Sequence, residues 1–428
     1  MTEQEIAGLG PAFAAYLGRY RDCFLHKRTV AHFDNYCRGL LSDLPRKTDE
    51  PIALEAGTAV RTLQEFLTTA RWDHQHMRDT LQRHLAQAVA EIPADTLGTV
   101  GILDETSCRK WGDETPGVQR QYLGCVGKVD NGIVTVHVGV AKGRFQALLD
   151  ADLYLPKVWD ADRPRCQAAG IPDQVRYRPK WRIALEQLIR LDGNGITFDW
   201  LVFDEGYGAA VPLLRVLNAV GQRFVAEVPV NFAVADVAGG PTQRADQRLR
   251  AADAKRGKRY RLVHRTVQDS VWRGCTAPVW VAGREYLLIV AINEATAEVK
   301  YFLSNAVTTP VAQLLAVAFC RWSVEHNFRL GKQEAGLMHY EGRDYTGLMR
   351  HLMLALVVLG FVARQTERLR GEKSAGDCGA GVPGIKPALR VGVASSSSGS
   401  PDAACQRGHL LPPATKRAGD QVPQETAA

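Results

Sequence analysis

From Ile6 to about Ile92 apolar residues recur every three or four positions, as in Leu63, Phe66 and Leu67 and again in Leu81, Leu85 and Val89. That spacing predicts successive helices with one buried face each. Near Thr96 the pattern changes to short apolar runs. Thr99-Val-Gly-Ile-Leu-Asp104 reads as a strand that ends on a carboxylate, and Tyr122–Lys128 and Ile133–Val140 read as two further strands. Asp130-Asn131-Gly132 is the predicted hairpin turn between them, because Asn and Gly tolerate positive φ. Phe145–Leu155 is a third extended stretch, Lys180–Leu191 a helix, and Phe198–Asp204 a second apolar strand ending on a carboxylate. Ala209–Val220 then reads as a helix and Arg223–Val228 as a strand. Antiparallel strands followed by alternating helix and strand suit a mixed α/β sheet with its site at the strand ends.

The stretch Pro229–Ala306 is mostly β in pattern, including Tyr260–Val263, Val279–Ala282, Tyr286–Ile292 and Val299–Leu303. It is expected to be an insertion, because helices resume after it, one over Val311–Lys332 and an apolar one over about Leu348–Arg368. From Gly371 onward Gly, Pro, Ser and Ala dominate, with Ser395–Ser398 in the middle, which predicts a disordered tail. The expected organisation is therefore an N-terminal helical domain over 1–95, a core over 96–228, a β-rich subdomain over 229–306, the returning core helices over 307–370, and the tail over 371–428.

Composition changes this picture little. The net charge of +7 and the pI near 8.9 lean toward an anionic partner. Arg19, Arg21, His26, Lys27, Arg28, His32, Arg38, Arg46 and Lys47, interleaved with the first helices, fit either a phosphate-facing surface or an ordinary solvated face. The nine cysteines are scattered and never spaced as C-x-x-C, which argues against a disulfide framework and a zinc site. No secretory signal pattern opens the chain, and the longest apolar run, Leu352–Ala363, is too short to span a bilayer. A cytoplasmic protein without a membrane partner is expected.

The candidate chemistry lies in three acids. Phosphodiester cleavage by two divalent ions needs oxygen ligands, which Asp and Glu supply. Asp104 and Asp204 end two apolar strands, and strands lying side by side would bring them together. The alternative for each is a cap on a helix or turn. Glu105 and Glu205 follow directly, but in a strand they would face the other side of the sheet. Glu325 lies in Arg321-Trp322-Ser-Val-Glu325-His-Asn-Phe328-Arg329-Leu-Gly331-Lys332, where Arg321, Glu325, Phe328 and Lys332 share one helix face. A surface ion-pair stripe has the same spacing. Trp159, Trp200 and Trp322 fit the core better than base stacking, and His137 and His326 fit packing better than catalysis.

The last segment resembles the signature of the IS4-related DDE transposases, matching at Arg321, Glu325 and Lys332 but with Ala318 at the family's Tyr position. Gly101-Ile-Leu-Asp104-Glu-Thr-Ser, Gln119-Arg-Gln-Tyr122-Leu-Gly-Cys-Val-Gly-Lys128, Leu153-Tyr-Leu-Pro-Lys-Val-Trp159 and Leu41-Ser-Asp-Leu-Pro-Arg46-Lys are similar to the IS701 family. The resemblance spans roughly residues 20–365. It implies an RNase H-like core with a β-rich insertion, and Asp104, Asp204 and Glu325 as catalytic ligands of two Mg²⁺ ions, with Mn²⁺ able to substitute. It also implies Arg321, Arg329 and Lys332 as DNA contacts. The implied enzyme is a transposase, both endonuclease and strand transferase, acting as a homodimer on inverted-repeat ends and target DNA at the nucleoid. Two rivals stand beside it: an inactive DNA-binding derivative acting as a repressor, and a metal-independent hydrolase using a carboxylate pair.

Overall fold

A computed structural model of the chain describes residues 3–93, 95–262 and 269–371. The tail expected over 371–428 lies outside these residues beyond Gly371, as does Val263 at the end of one expected strand. The helices are α1 Glu3–Leu17, α2 Lys27–Leu41, α3 Asp49–Glu55, α4 Val60–Thr68, α5 His74–Glu91, α6 Lys157–Ala161, α7 Arg163–Ala168, α8 Lys180–Gly193, α9 Glu205–Gly208, α10 Val211–Ala219, α11 Ala245–Arg248, α12 Ala251–Arg256, α13 Val311–Phe319, α14 Trp322–Glu334 and α15 Tyr345–Gly371. The strands are β1 Val100–Arg109, β2 Gln119–Leu123, β3 Lys128–Lys142, β4 Phe145–Leu153, β5 Trp200–Phe203, β6 Phe224–Val228, β7 Ala233–Ala235, β8 Thr242–Arg244, β9 Lys258–Leu262, β10 Ser270–Val281, β11 Arg284–Asn293 and β12 Val299–Ser304.

At the centre β4, β3 and β1 run antiparallel, and β1, β5 and β6 run parallel. Val100, Ile102, Leu103, Trp200, Leu201, Val202 and Phe203 are almost wholly buried, which is why β1 and β5 read as continuous apolar runs. Helix α14 lies against the face of β1 that carries Asp104, and α8 against the face that carries Glu105. The result is the expected RNase H-like mixed α/β sheet flanked by helices.

Several expectations change. The segment Asp130-Asn131-Gly132 lies inside β3 and is not a turn. The hairpin turns instead at Gly124–Gly127, where Leu123 pairs with Lys128 and Gly127 has φ +66°. Asn131 serves another purpose: its amide donates to the carbonyls of Lys110 (3.0 Å) and Gly112 (2.7 Å), holding the loop after β1. Gly132 is required because a Cβ there would meet the Cys108 carbonyl oxygen at 2.3 Å. Strand β1 also continues through Asp104 to Arg109, so only its pairing with β5 stops at the acid.

The single helix expected over Val311–Lys332 is two helices, α13 and α14. At the junction Cys320, Arg321, Ser323 and Val324 each bond to a carbonyl three residues back, a tighter turn than an α-helix makes. The strands expected in an insertion extend the same sheet: β6 pairs with β12, and the order continues through β11 and β10 to β7 and β8.

The first helices share a core with α15. Phe13 packs on Phe361 at 4.8 Å, and the Tyr16 hydroxyl donates to the Val357 carbonyl at 3.1 Å. Tyr345–Arg370 is long and apolar enough by composition to cross a membrane, yet 83% of its most apolar window is buried inside the protein. That length exceeds the apolar run visible in sequence because flanking polar residues continue the helix. Among the expected phosphate-facing residues, Arg19, Arg21, His26, Lys27, Arg28 and Arg46 are exposed. Lys47 is not: it is buried, its ammonium donates to the Leu40 carbonyl at 2.8 Å, and burial lowers its pKa to about 8.

Two buried imidazoles tie the sheet and α15 to their surroundings. His137 meets the Thr135 hydroxyl at 2.8 Å and the Phe328 ring at 5.1 Å, and His351 meets the Tyr36 hydroxyl at 2.9 Å and the Gly336 carbonyl at 2.7 Å. Burial depresses them to about 3 and about 4 from the usual 6.5. A histidine depressed in the folded state stabilises fully above its unfolded pKa and less as pH falls toward the folded value. Stability should therefore drop by about 1–3 kcal/mol per histidine between roughly pH 6.5 and 4. His351→Gln should flatten the fall measured by denaturant unfolding, and an unchanged pH slope would remove His351 from this role.

Candidate active site

Strands β1 and β5 are in register from Val100 with Trp200 to Leu103 with Phe203, so Asp104 and Asp204 stand at the same level one residue further on. Phe203 is likewise in register with Ala226 of β6, which puts Glu227 at that level too. Three neighbouring strands thus present three acids in a row, about 4.8 Å apart from strand to strand. Glu227 was not singled out in sequence, because β6 reads as apolar on both sides of it and its register is not visible along the chain.

Arg321 joins this row to α14. Its guanidinium donates to Asp104 Oδ2 at 2.9 Å, lies 3.3 Å from Glu325 Oε1, and reaches Glu227 at 4.0 Å. Burial alone would lower the Arg321 pKa, but the surrounding acids, Asp104 first, hold it above its usual value. Asp104 is pushed up to about 7, mainly by burial; Arg321 opposes that shift while Asp204 and Glu325 add to it.

Asp204 does cap a helix. Its Oδ1 accepts from the Gly206 and Tyr207 amides of α9 at 3.0 and 3.3 Å, so the capping alternative and a place at the site hold together. Helix α9 is held against β6 by Gly208, where a Cβ would meet the Glu227 carbonyl oxygen at 1.9 Å. Gly208→Ala should push α9 and Asp204 away from the row, costing about 1–3 kcal/mol. Denaturant unfolding that matches the wild type would show that α9 has room to shift.

Asp104, Asp204, Glu325, Arg321, Arg329 and Lys332 all line one open cavity of about 560 Å³, with Glu105, Tyr122 and Cys125 also on its wall. Every residue that the family resemblance marks for cleavage or DNA contact therefore opens onto the same space. The break before α14 leaves the helix face intact, since Glu325, Phe328 and Lys332 remain at helical spacing within it. Lys332 donates to the Ser107 carbonyl at 3.1 Å, with its pKa lowered by burial, and Arg329 lies 3.0 Å from His326. Glu105, expected to face the other side of the sheet, pairs with Lys180 at 2.5 Å yet also borders this cavity. Trp159 and Trp200 are core residues, covered by the guanidinium groups of Arg165 and Arg223, and Trp322 packs on Phe319.

The donor set suits a hard divalent cation, because clustered carboxylates are costly unless positive charge lies among them. Arg321 supplies one positive charge among the four acids Asp104, Asp204, Glu227 and Glu325. Among the described residues the one group of possible ligand atoms all within 4.8 Å of one another is Asp22, Cys23 and His76; the three cleft acids stand further apart. That cluster is a poor metal site, since burial first and Asp22 next push the Cys23 thiol up to about 12. A second cavity of about 580 Å³ lies between β9 and the junction of α13 and α14, with no carboxylate on its described wall.

The chain is 32% identical over 222 residues to a probable transposase for insertion sequence element IS701 from Microchaete diplosiphon, an alignment covering 51% of this chain and 54% of that protein. It thus spans about half the length of the curated relative it matches. Among solved structures, the NurA nuclease from Sulfolobus solfataricus aligns over 57% of this chain and 81% of its own at 8% identity, with a TM-score of 0.23. The family model described as DDE superfamily endonuclease matches residues 19–281, more than half of the chain and including both strand acids. The chain belongs to the DDE superfamily endonucleases.

Proposed function

We propose that this protein is the transposase of an insertion sequence, which cleaves DNA at the inverted-repeat ends and joins the freed 3′-hydroxyl to target DNA. The observation that carries this reading is the shared cavity, where three carboxylates from β1, the end of β5 and α14 meet Arg321, Arg329 and Lys332. Asp104, Asp204 and Glu325 would hold two Mg²⁺ ions, with Mn²⁺ able to replace them. Bound there, the ions would activate a water or hydroxyl and stabilise charge on the phosphate.

The residues of the chain supply position and charge. The register of β1 with β5 and the α9 cap fix the two aspartates before any ligand arrives, so little reorganisation is needed during reaction. Arg321 offsets the charge of Asp104 and Glu325, which keeps the acid row folded. Arg329 and Lys332 lie further along α14 and supply positive charge to the DNA backbone. The exposed Arg19, Arg21, Lys27 and Arg28 extend a basic surface over residues 1–95, read as a DNA-binding domain. Two ends must be processed together, so a homodimer on DNA is part of the proposal, as is action at the nucleoid in the cytoplasm.

Incubation with supercoiled plasmid carrying the flanking inverted repeats tests the reading. Nicking at the repeat ends with Mg²⁺ and none with EDTA is expected. End binding without nicking under any divalent ion would favour the repressor instead.

A further inference from the structure

Glu227 stands level with Asp104 and Asp204, yet it is not on the described wall of the acid cavity. Its carboxylate is tied to the row through Arg321 instead. One oxygen, Oε1, accepts from Lys300 of β12 at 2.6 Å, and Glu298 lies 3.4 Å from the same ammonium. The other, Oε2, accepts no hydrogen bond among the described residues and lies 4.0 Å from Arg321 Nε. The side chains of Glu227, Lys300 and Arg321 are only 18%, 13% and 15% exposed, so water reaches this place poorly. A donor that closes on Oε2 is therefore favoured.

Asp104 is in the opposite condition, with both oxygens engaged. Oδ1 accepts from the Glu105 amide at 2.7 Å and Oδ2 from Arg321 at 2.9 Å, while the same guanidinium lies 3.3 Å from Glu325 Oε1. Without ions, Arg321 thus holds two of the three proposed ligands. A dication and a guanidinium on one carboxylate repel each other, so an ion that takes Asp104 displaces Arg321. Two dications against three carboxylates leave an excess of positive charge, which favours moving the guanidinium off those acids altogether. Among the described residues Glu227 is the one further acid within 4.0 Å of it. Closing that gap to a normal hydrogen bond takes a shift of about 1 Å.

Resting on the two-ion reading above, we infer that Glu227 is a positioning residue that receives Arg321 when divalent ions take Asp104 and Glu325. Lys300 holds Glu227 in place for this, and the guanidinium passes from one carboxylate to another without losing its counter-charge. In this role Glu227 touches neither the ions nor DNA, and acts through Arg321 alone.

Mn²⁺ affinity of the full-length protein, read by electron paramagnetic resonance without DNA, tests this in a double-mutant cycle. Glu227→Gln keeps the size of the side chain and an oxygen for Lys300 but removes the charge that receives Arg321. It should weaken Mn²⁺ binding about 10-fold in the wild-type background. In an Arg321→Gln background the same change should alter affinity by less than about 2-fold, because no guanidinium remains to be placed. Melting in EDTA identifies the variants that fold. Where Arg321→Gln does not, Arg321→Lys takes its place under the same criterion, since a compact ammonium lacks the fork that spans two carboxylates. An equal loss in both backgrounds shows that Glu227 acts on the ions by its own charge and overturns the inference. A Glu227→Gln protein that binds Mn²⁺ like the wild type overturns it as well, with the two-ion reading left intact. Wild type that binds no Mn²⁺ removes both.

Discussion

Asp104→Asn, Asp204→Asn and Glu325→Gln should each reduce cleavage at the inverted-repeat ends by about 10³-fold or more, because each removes an anionic ligand from the charge-stabilising centre. Binding of the same DNA should change little, since phosphate contacts come from the basic side chains. Unfolding does not explain such a loss at Asp104. Its carboxyl is pushed up to about 7, so in the absence of ions its charge destabilises the fold as pH rises through that value. At pH 8 the Asp104→Asn protein should melt no lower than the wild type. A variant that cleaves within tenfold of wild type would remove its residue from the site.

The largest expected loss of stability lies on the far side of the sheet. Arg190 of α8 donates to Asp150 at 3.1 Å and also bonds Asp152, while Gln82 of α5 donates to Asp150 at 3.0 Å. Asp150 is fully buried, and its carboxyl is raised by burial although Arg190 opposes this. Arg190→Met would leave the buried Asp150 and the partly exposed Asp152 without their cation, costing about 3–5 kcal/mol. Because Asp150 is raised, the deficit should deepen as pH rises through its folded value and shrink as the carboxyl takes up a proton. Asp150→Asn added to Arg190→Met should recover part of the loss. Denaturant unfolding reads both, and a change below about 1 kcal/mol would place the pair among weak surface bridges.

The two strand acids were visible in the chain because each follows a run of apolar residues that only a buried strand would carry. What sequence could not show was their register, which comes from main-chain pairing of segments about a hundred residues apart, Leu103 with Phe203. Glu227 was hidden for the same reason. The hairpin was misplaced because Asn131-Gly132 has turn chemistry, yet Asn131 bonds a neighbouring loop and Gly132 lies under the Cys108 carbonyl. Lys47 looked like a surface cation, but its stem is buried and its ammonium is held by backbone carbonyls. The break between α13 and α14 had no Pro or Gly to announce it. Helical spacing after the break still placed Glu325, Phe328 and Lys332 on the cavity wall.

Cleavage by this protein requires carboxylates far apart in the chain to hold the same divalent ions. Counting bound Mn²⁺ by electron paramagnetic resonance, in wild type and in the Asp104→Asn, Asp204→Asn and Glu325→Gln proteins, tests this most directly. About two ions per chain are expected in wild type, with fewer or weaker ones in every variant. Unchanged stoichiometry and affinity in all three variants would contradict the account.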